Sequence, residues 1–466
     1  MGAVSSLLSQ KRKPPSYLTT ARLSSHVACV TSIMLSGDRV FSASKDRSIS
    51  MWTLSHARAT PNPGGRAGSG AGVGAALVLD KPSKVFEGHS HWVTELVLDK
   101  SGCLLYSGAM DKTVRAWDVS NAVCLFVYCG HTDWLSGLCL VYSSPAAADA
   151  AAAAVSPFNL IDAAAAAAQP DTPAPDYITS SSHDGSLRFW QPYRPSLRSR
   201  GEDACLAEVV LPGGGSITTI AACSVGVVCA SNFGTIAFAP TDDLPDVRVQ
   251  SVRGHNGPIT ALSAVHWVPG STLPSFRANI SGAVGQQPAD AQSSPKESPT
   301  TPKTLSGPVA ICFSGGVDGS VRMWSLRPLR CLHLYEAGTG SGVACLAFNA
   351  KVHLLTVAYE KGETLGWMDQ KRVPLNIQLV GSVKGVTHAA HGGVVAAATS
   401  GVAVYHPTKG QRLAQLSDQR CSCLVYKEEP GIAGGRLAFA EKGVVVVCSG
   451  DVLQQAADDV AVSFGT

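Results

Sequence analysis

One internal spacing recurs four times along the chain and constrains its fold more than any other feature. In each copy an aspartate follows a serine after four residues, and a tryptophan follows the aspartate after six. A histidine stands ahead of the apolar run before each copy. The members of the four sets are His26, Ser42, Asp46 and Trp52; His89, Ser107, Asp111 and Trp117; His131, Ser180, Asp184 and Trp190; and His255, Ser314, Asp318 and Trp324. Four matching sets at one spacing indicate a repeated structural unit.

The residues around the second copy predict a β-hairpin. The apolar segment LLYSGAM leads into a short turn at Asp111 and Lys112, and the alternating segment TVRAW follows. This order of strand, tight turn and strand is typical of a hairpin. The composition agrees, because only 15% of the residues are charged and the chain contains 46 glycines and 27 prolines, which favours many short strands and turns.

On these residues the chain resembles the WD-repeat β-propeller family, whose unit runs from a Gly-His turn to a Trp-Asp end. The second copy has both ends, at Gly88 with His89 and at Trp117 with Asp118. The other three keep the tryptophan but end in Thr53, Gln191 and Ser325. The resemblance covers the chain from about Tyr17 onwards and implies an all-β fold.

Four weaker hairpins follow the same pattern at 227–240, 354–367, 394–407 and 436–450. With the four clear copies they make eight units, so we predict eight blades, with seven blades and an irregular extra hairpin as the alternative. We expect residues 1–16 to form a flexible tail and residues 17–466 to form a single propeller.

Three long insertions interrupt the repeats at 55–80, 143–176 and 269–307. Repeats of this kind span about 40 to 45 residues, whereas the aspartates of the first three copies lie 65 and 73 residues apart. The insertions are rich in small and polar residues, which predicts disordered loops. If the strands of a blade are lettered a to d from the centre outwards, the first insertion joins c to d and the others join a to b. Both connections lie on one face, so the opposite face is expected to be uncluttered.

Histidine, serine and aspartate in one repeat also fit a hydrolase triad. A triad needs one exposed serine beside an oxyanion hole, whereas this chain has four equivalent sets. The resemblance implies that each set, with its tryptophan, forms a buried hydrogen-bond network that stiffens one blade. We therefore predict a structural role for all sixteen residues, no catalytic site, no cofactor and no small-molecule substrate.

Metal and nucleic-acid binding are also not expected. The 14 cysteines are scattered through apolar runs, which indicates reduced thiols, and Cys421 and Cys423 are too close for a CxxC metal site. A net charge of +3 is small for 466 residues and predicts no nucleic-acid surface.

The first residues, MGAVSS, match an N-myristoylation motif with Gly2 as the acceptor and Ser6 in the favoured position. One myristoyl chain binds a membrane only marginally, and Lys11, Arg12 and Lys13 would add attraction to an anionic leaflet. An ordinary disordered start is the alternative. In the resembled family an N-terminal strand completes the last blade, and residues 17–23 are the candidate here. The tail would then leave from the insertion-bearing face and turn that face towards the membrane.

The resemblance also implies partner contacts on the opposite face, three and five residues after the histidine and just before the hairpin aspartate. The residues at these positions are Trp92, Thr94 and Met110 in the second unit, Trp134, Ser136 and His183 in the third, Cys29, Thr31 and Lys45 in the first, and Pro258, Thr260 and Val317 in the fifth. Tryptophan and methionine are common interface anchors. Packing against neighbouring blades is the alternative.

Ser294, Ser298 and Thr301 each precede a proline in the third insertion. Phosphorylation there would add negative charge and weaken attachment to an anionic membrane, and a simple solvated linker is the alternative. Together these features predict a cytoplasmic, non-catalytic scaffold for protein–protein interactions at the cytosolic face of a membrane. The competing prediction is a soluble propeller subunit of a ribonucleoprotein or ubiquitin-ligase assembly, without a lipid.

Overall fold

The computed structural model describes residues 19–56, 77–142, 175–195, 200–201, 204–223, 225–242, 244–267, 309–350, 353–368, 371–389, 393–429 and 432–449. These residues form eight antiparallel blades of at least four strands each, and the prediction of eight blades is confirmed. The three-residue 3-10 helix Leu54–His56 is the one helix in these ranges. No helix in this part of the chain is long and apolar enough to cross a membrane.

The strands of the first four blades follow in chain order. Strand β1 (Thr19–Ser24) precedes blade 1, which contains β2 (Val30–Ser36), β3 (Arg39–Ser44), β4 (Ile49–Thr53) and β6 (Lys84–Phe86), with β5 (Leu77–Leu79) before β6. Blade 2 contains β7 (Val93–Leu98), β8 (Leu104–Ala109), β9 (Val114–Asp118) and β10 (Val123–Tyr128). Blade 3 contains β11 (Leu135–Val141), β12 (Tyr177–Ser182), β13 (Ser186–Trp190) and β15 (Cys205–Val210). Strand β14 (Arg200–Gly201) precedes β15 in the chain but pairs parallel with β10 as a fifth strand of blade 2. Blade 4 contains β16 (Ile217–Cys223), β17 (Gly226–Ser231), β18 (Thr235–Pro240) and β19 (Gln250–Arg253).

The remaining blades repeat this order. Blade 5 contains β20 (Ile259–Trp267), β21 (Val309–Gly316), β22 (Val321–Leu326) and β23 (Leu329–Tyr335). Blade 6 contains β24 (Val343–Asn349), β25 (Leu354–Tyr359), β26 (Glu363–Met368) and β27 (Lys371–Gln378). Blade 7 contains β28 (Val383–His388), β29 (Val394–Ala398), β30 (Gly401–Tyr405) and β31 (Arg412–Ser417). Blade 8 contains β32 (Cys421–Glu429), β33 (Ile432–Glu441) and β34 (Val444–Ser449), and β1 is its fourth strand.

Apolar side chains from neighbouring blades form the core. Between blades 1 and 2, for example, Phe41 and Phe86 pack with Val93 and Trp117. Because a blade is covered on both sides, its second strand is buried on both faces, and all six residues of β17 are buried. This double burial explains why continuous apolar runs, and not only alternating ones, form strands here.

The ring closes through its first strand. Strand β1 pairs antiparallel with β34, with Ala21 opposite Val447 and Leu23 opposite Val445, and the side chains of Ala21 and Leu23 are fully buried. The predicted closing strand at 17–23 overlaps β1, although its first two residues lie outside the described ranges. Closure of this kind removes the open edges of the first and last units.

Two faces result from this topology. Because neighbouring strands are antiparallel, the a-to-b and c-to-d connections lie on one face, which we call the insertion face. The connections that contain most of 55–80, 143–176 and 269–307 run from β4 to β6, from β11 to β12 and from β20 to β21. The hairpin turns from b to c and the loops between blades lie on the other face, which we call the turn face.

The first insertion differs from its predicted form at both ends. His56 belongs to a 3-10 helix, and Leu77, Val78 and Leu79 form β5, which pairs parallel with β1 as a fifth strand of blade 8. The expectation of a disordered loop over all of 55–80 is therefore wrong for these residues. The reason is that β1 offers an open edge whose backbone groups need partners, and a short apolar segment supplies them.

Candidate protein-interaction surface

A chain of hydrogen bonds runs through the predicted residues of blade 2. The indole Nε1 of Trp117 donates to Ser107 Oγ at 2.8 Å, and this oxygen lies 2.7 Å from His89 Nε2. The Nδ1 atom of His89 lies 2.8 Å from Asp111 Oδ2. Burial lowers the pKa of His89. We infer that the neutral imidazole donates from Nδ1 to the carboxylate and accepts the serine proton at Nε2.

The carboxyl group of Asp111 stays ionised in this setting. Burial by itself would raise the pKa of Asp111, but hydrogen bonds from His89, from Thr113 and from the backbone N–H of Ser90 hold it well below its usual value. A carboxylate that accepts several hydrogen bonds favours its charged form.

The connections from serine to histidine to aspartate are those of a hydrolase triad, but the serines are out of reach of a substrate. Ser42, Ser107, Ser180 and Ser314 are each fully buried. In blades 2, 3 and 5 the serine oxygen also accepts the indole proton, at 2.8, 2.7 and 2.8 Å. The same set recurs in blade 3 through His131 and in blade 5 through His255.

Each aspartate also ties the loop before a blade to the hairpin turn within it. Asp111 Oδ2 accepts from the backbone N–H of Ser90 at 3.0 Å, and its Oδ1 accepts from Thr113 Oγ1 at 2.7 Å. The backbone N–H of Met110 then donates to the carbonyl oxygen of Trp92 at 2.8 Å. The buried network thus positions the two segments that contain the predicted contact residues.

Blade 1 departs from this pattern at its tryptophan. His26 contacts Ser42 at 2.7 Å and Asp46 at 2.8 Å, but the buried Nε1 of Trp52 has no hydrogen-bond partner among the described residues. The expectation that every indole finds an acceptor in its set is therefore wrong for this blade.

A serine in place of a glycine explains the departure. A Cβ atom added at Gly88, Gly130 or Gly254 would lie 3.2, 3.3 or 2.4 Å from the indole Cη2 of the tryptophan in the same set. Blade 1 has Ser25 at this position, with its Oγ 2.9 Å from Ser50 Oγ. We infer that the Cβ of Ser25 keeps the indole of Trp52 from the position in which the other three indoles bond to serine.

Two predicted contact residues on adjacent blades are large, apolar and partly open to solvent. The side chain of Trp92 is 38% exposed and that of Trp134 is 46% exposed. The Nζ atom of Lys45 lies 4.2 Å from the ring centroid of Trp92, and the ring of His183 lies 6.0 Å from that of Trp134. Met110 is half-buried, whereas Lys45 and His183 are exposed.

The hydroxyl groups predicted as contacts have partners within the fold. Thr94 Oγ1 donates to the carbonyl oxygen of Gly108 at 3.1 Å, and Ser136 Oγ lies 2.9 Å from Ser181 Oγ. The other two join neighbouring blades: Thr31 donates to the carbonyl oxygen of Val93 at 2.6 Å, and Thr260 donates to that of Val343 at 2.5 Å. Thr31 and Thr260 each lie at a β-bulge of the innermost strand.

Hydroxyl side chains recur at this position of the innermost strand in other blades, a signal that the sequence contains. Thr218 in blade 4 and Ser422 in blade 8 lie at the same place and also donate to the next blade, to the carbonyl oxygens of Ile259 and Val30. Among the other predicted contacts, Cys29, Pro258 and Val317 are exposed.

The remaining predictions concern the N-terminal tail, the third insertion, metal binding and the cysteines. Gly2, Lys11, Arg12, Lys13, Ser294, Ser298 and Thr301 lie outside the described residues. Within the described part of the chain, no group of three or more His, Cys, Asp or Glu side chains could hold a metal ion. Burial raises the pKa of Cys421 to about 12, so its thiol stays protonated.

Comparison with known proteins is consistent with this architecture. The family model described as "WD domain, G-beta repeat" matches residues 17–53 and 80–118. A "Small ribosomal subunit protein RACK1" of Dictyostelium discoideum is 32% identical over 117 residues, which cover 24% of this chain and 30% of that protein. A "Ribosome biogenesis protein YTM1" of Kluyveromyces lactis is 33% identical over 120 residues, 23% of this chain and 27% of that protein. A "Probable E3 ubiquitin ligase complex SCF subunit sconB" of Arthroderma benhamiae is 36% identical over 52 residues, 11% of this chain and 8% of that protein. The chain thus spans less than a third of the length of these relatives.

Two solved structures resemble almost the whole chain. Sqt1 of Saccharomyces cerevisiae has a TM-score of 0.63 at 13% identity and covers 93% of this chain and 99% of its own. The computationally designed protein Ika8 has a TM-score of 0.58 at 17% identity, with 92% and 99% covered. At these identities the likeness shows a shared fold alone.

Proposed function

We propose that this chain, a WD-repeat β-propeller of eight blades, is a non-catalytic scaffold that binds other proteins through its turn face. The observation that carries the proposal is the pair of half-exposed tryptophans, Trp92 and Trp134, on adjacent blades. Both are in loops held by buried hydrogen-bond networks, so little ordering is needed when a partner binds. Tryptophan is among the residue types that most often dominate interface energetics.

The test compares the partners that are recovered with the wild type and with a variant altered on the turn face. We expect a Trp92→Ala, Trp134→Ala double variant to lose specific partners in affinity purification after mild crosslinking. The control is Leu334→Ala, which removes a similarly exposed apolar side chain from the outer strand β23. Equal partner lists for the wild type and a folded double variant would show that this face is not the binding surface.

We also propose that the N-terminus tethers the protein to a membrane. The motif at Gly2 and the basic residues Lys11, Arg12 and Lys13 support it. Strand β1 begins at the insertion face, which supports a tail on that side and a turn face directed to the cytosol. The expected result is a myristoyl mass on Gly2 of the cellular protein and a shift from membrane to soluble fractions on Gly2→Ala. A protein that lacks this mass and keeps its distribution would exclude the tether.

The second candidate is a soluble subunit of a ribonucleoprotein or ubiquitin-ligase assembly. Three of the similar proteins favour it, because they are a ribosomal protein, a ribosome-biogenesis protein and a probable SCF subunit. It would be supported by unmodified Gly2 together with co-sedimentation of the chain with large particles, and salt-sensitive retention would indicate contact with RNA.

A further inference from the structure

Cationic and aromatic side chains occur together on the turn face of blades 1 to 3. We call this group the basic strip, and its members are Lys45, Arg47, Trp92, Lys112 and Trp134. Lys45 lies over the ring of Trp92. Lys112 Nζ donates to the carbonyl oxygen of Thr132 at 2.8 Å, in the loop that carries Trp134. The strip therefore crosses both boundaries between these blades.

Two of its cations stand where the backbone favours glycine. Arg47 and Lys112 follow the aspartate of their hairpin turns and have φ angles of 74° and 72°. The residues at the equivalent place in blades 3 to 6 are Gly185, Gly234, Gly319 and Gly362, with φ between 76° and 93°. Long side chains seldom adopt this conformation because it is strained for any residue with a Cβ. Strain of this kind that persists at a surface turn is a pointer to function.

The room for a side chain at this turn position also differs between the blades. A Cβ added at Gly185 or Gly319 would lie 2.8 Å from a carbonyl oxygen of the next loop, and one added at Gly234 or Gly362 would lie 2.1 Å from such an oxygen. Blades 3 to 6 thus exclude a side chain here. Blades 1 and 2 accommodate one, and in both blades it is cationic.

The charge that this strip presents to solvent is positive. Lys45, Arg47 and Lys112 are exposed. The side chains of Asp46 and Asp111 are only 10% and 6% exposed and accept hydrogen bonds from within the fold. Among the described residues of the turn face in these three blades, Glu87 is the one fully exposed carboxylate, and Asp133, whose Oδ1 accepts from the backbone N–H of Trp134, is partly exposed.

We infer that the basic strip binds a short acidic peptide segment that presents a bulky apolar side chain to Trp92 and Trp134. This inference rests on the proposed scaffold function and specifies the chemistry of the partner. Carboxylates of the peptide pair with Lys45, Arg47 and Lys112, while the apolar side chain packs against the exposed parts of the two indoles. A single-stranded nucleic acid is a poorer fit, because base stacking needs an open ring face and Lys45 covers one face of Trp92.

The test is selection from a displayed library of random short peptides against the full chain. We expect the enriched peptides to combine several Asp or Glu residues with an aromatic or large aliphatic residue. An Arg47→Gly, Lys112→Gly variant keeps the turn conformation and removes both charges. We expect it to remain folded and to bind the enriched peptides roughly 2- to 30-fold more weakly, with a smaller salt dependence. The control is Lys81→Gln, which removes an exposed cation outside the basic strip, in the connection from β5 to β6.

Three results would overturn the inference: no enrichment, enrichment of neutral or basic peptides, or acidic peptides whose affinity the double glycine variant leaves unchanged. A labelled single-stranded oligothymidine is the second probe. Binding of this probe that the same variant weakens would assign the strip to nucleic acid instead. The scaffold proposal is judged separately, because partner recovery that depends on Trp92 and Trp134 would persist even if the partner is not acidic.

Discussion

At the scale of single residues, the four buried networks join loops that are distant in sequence. The indole N–H is the outermost donor of the network in blades 2, 3 and 5, whereas in blade 1 the indole of Trp52 has no partner in the described structure. The indole N–H groups of Trp117 and Trp52 therefore allow a buried donor with a hydrogen-bond partner to be compared with one that has none in the described structure.

We predict that Trp117→Phe destabilises the protein more than Trp52→Phe. Both changes replace a buried indole by a smaller ring. Only Trp117→Phe removes a hydrogen bond to serine, whereas Trp52→Phe removes a buried N–H that lacks a partner. The difference in free energy of unfolding should be about 1–3 kcal/mol, measured by urea denaturation. Equal losses would mean that the indole bond contributes nothing.

A second prediction concerns the glycine that precedes the histidine. Gly88→Ala should destabilise the protein by about 1–3 kcal/mol more than Gly257→Ala. Both glycines have φ in the region that disfavours other residues, at 154° and 132°. A Cβ at Gly88 would press on Arg115 and Trp117, whereas one at Gly257 meets nothing within 4 Å. The melting temperatures of the two variants, with tryptophan fluorescence, test the difference. A Gly257→Ala variant that is equally destabilised would assign the effect to the backbone alone.

At the scale of elements, the outer edge of blade 8 consists of two strands, β1 and β5, that come from separated pieces of chain. Strand β1 pairs with β34 on one side and with β5 on the other. The last blade is thereby completed by the first strand, and the resulting sheet spans almost the full length of the sequence. Weakening β1 should consequently loosen the junction between the first and last blades before it affects the others.

We predict that Leu23→Ala costs about 2–5 kcal/mol, because the side chain is fully buried against blade 8. Hydrogen exchange should quicken most in β1 and β34. Leu206→Ala on the outer strand β15 is the control, since its side chain is 38% exposed, and it should change stability by no more than about 0.5 kcal/mol. A uniform increase in exchange around the ring would show that closure is not a local weak point.

At the scale of the whole molecule, the stability of the ring should depend on pH through its buried histidines. Burial lowers the pKa of His89 and His255 and lowers that of His388 to about 4. His388 Nε2 lies 3.0 Å from Thr356 Oγ1 of the neighbouring blade. These side chains therefore bind protons less readily in the folded state than in the unfolded chain, where the usual value is about 6.5.

It follows that stability is lost as pH falls below about 6.5, by up to about 1.4 kcal/mol per pH unit for each such histidine. For His388 the loss should continue to about pH 4. The carboxyl group of Asp111, whose pKa is lowered, adds a further loss below the usual aspartate value of about 4. Urea denaturation between pH 7 and 4.5 measures how the free energy of unfolding changes with pH. His388→Gln should reduce this slope by about 1.4 kcal/mol per pH unit, which corresponds to one proton. An unchanged slope in that variant would show that His388 does not titrate with unfolding.

The sequence by itself determined the propeller architecture, the positions of its hairpins and the membership of the four sets, and it favoured eight blades over seven. It could do so because those features depend on spacings within one repeat, where residues such as Ser107 and Trp117 share a hairpin. The degenerate hairpins could be found for the same reason, since burial between two blades leaves a run of apolar residues even where the polar set is missing.

Only the tertiary structure decided the features that depend on contacts between repeats. The pairing of β5 with β1 and the hydrogen bonds of Thr31 and Thr260 to the next blade join segments that no repeat spacing relates. The alignment of Lys45, Arg47 and Lys112 with two tryptophans is of the same kind. Such contacts form only when the blades pack around the ring, because distances across a blade boundary are set by that packing and not by position along the chain.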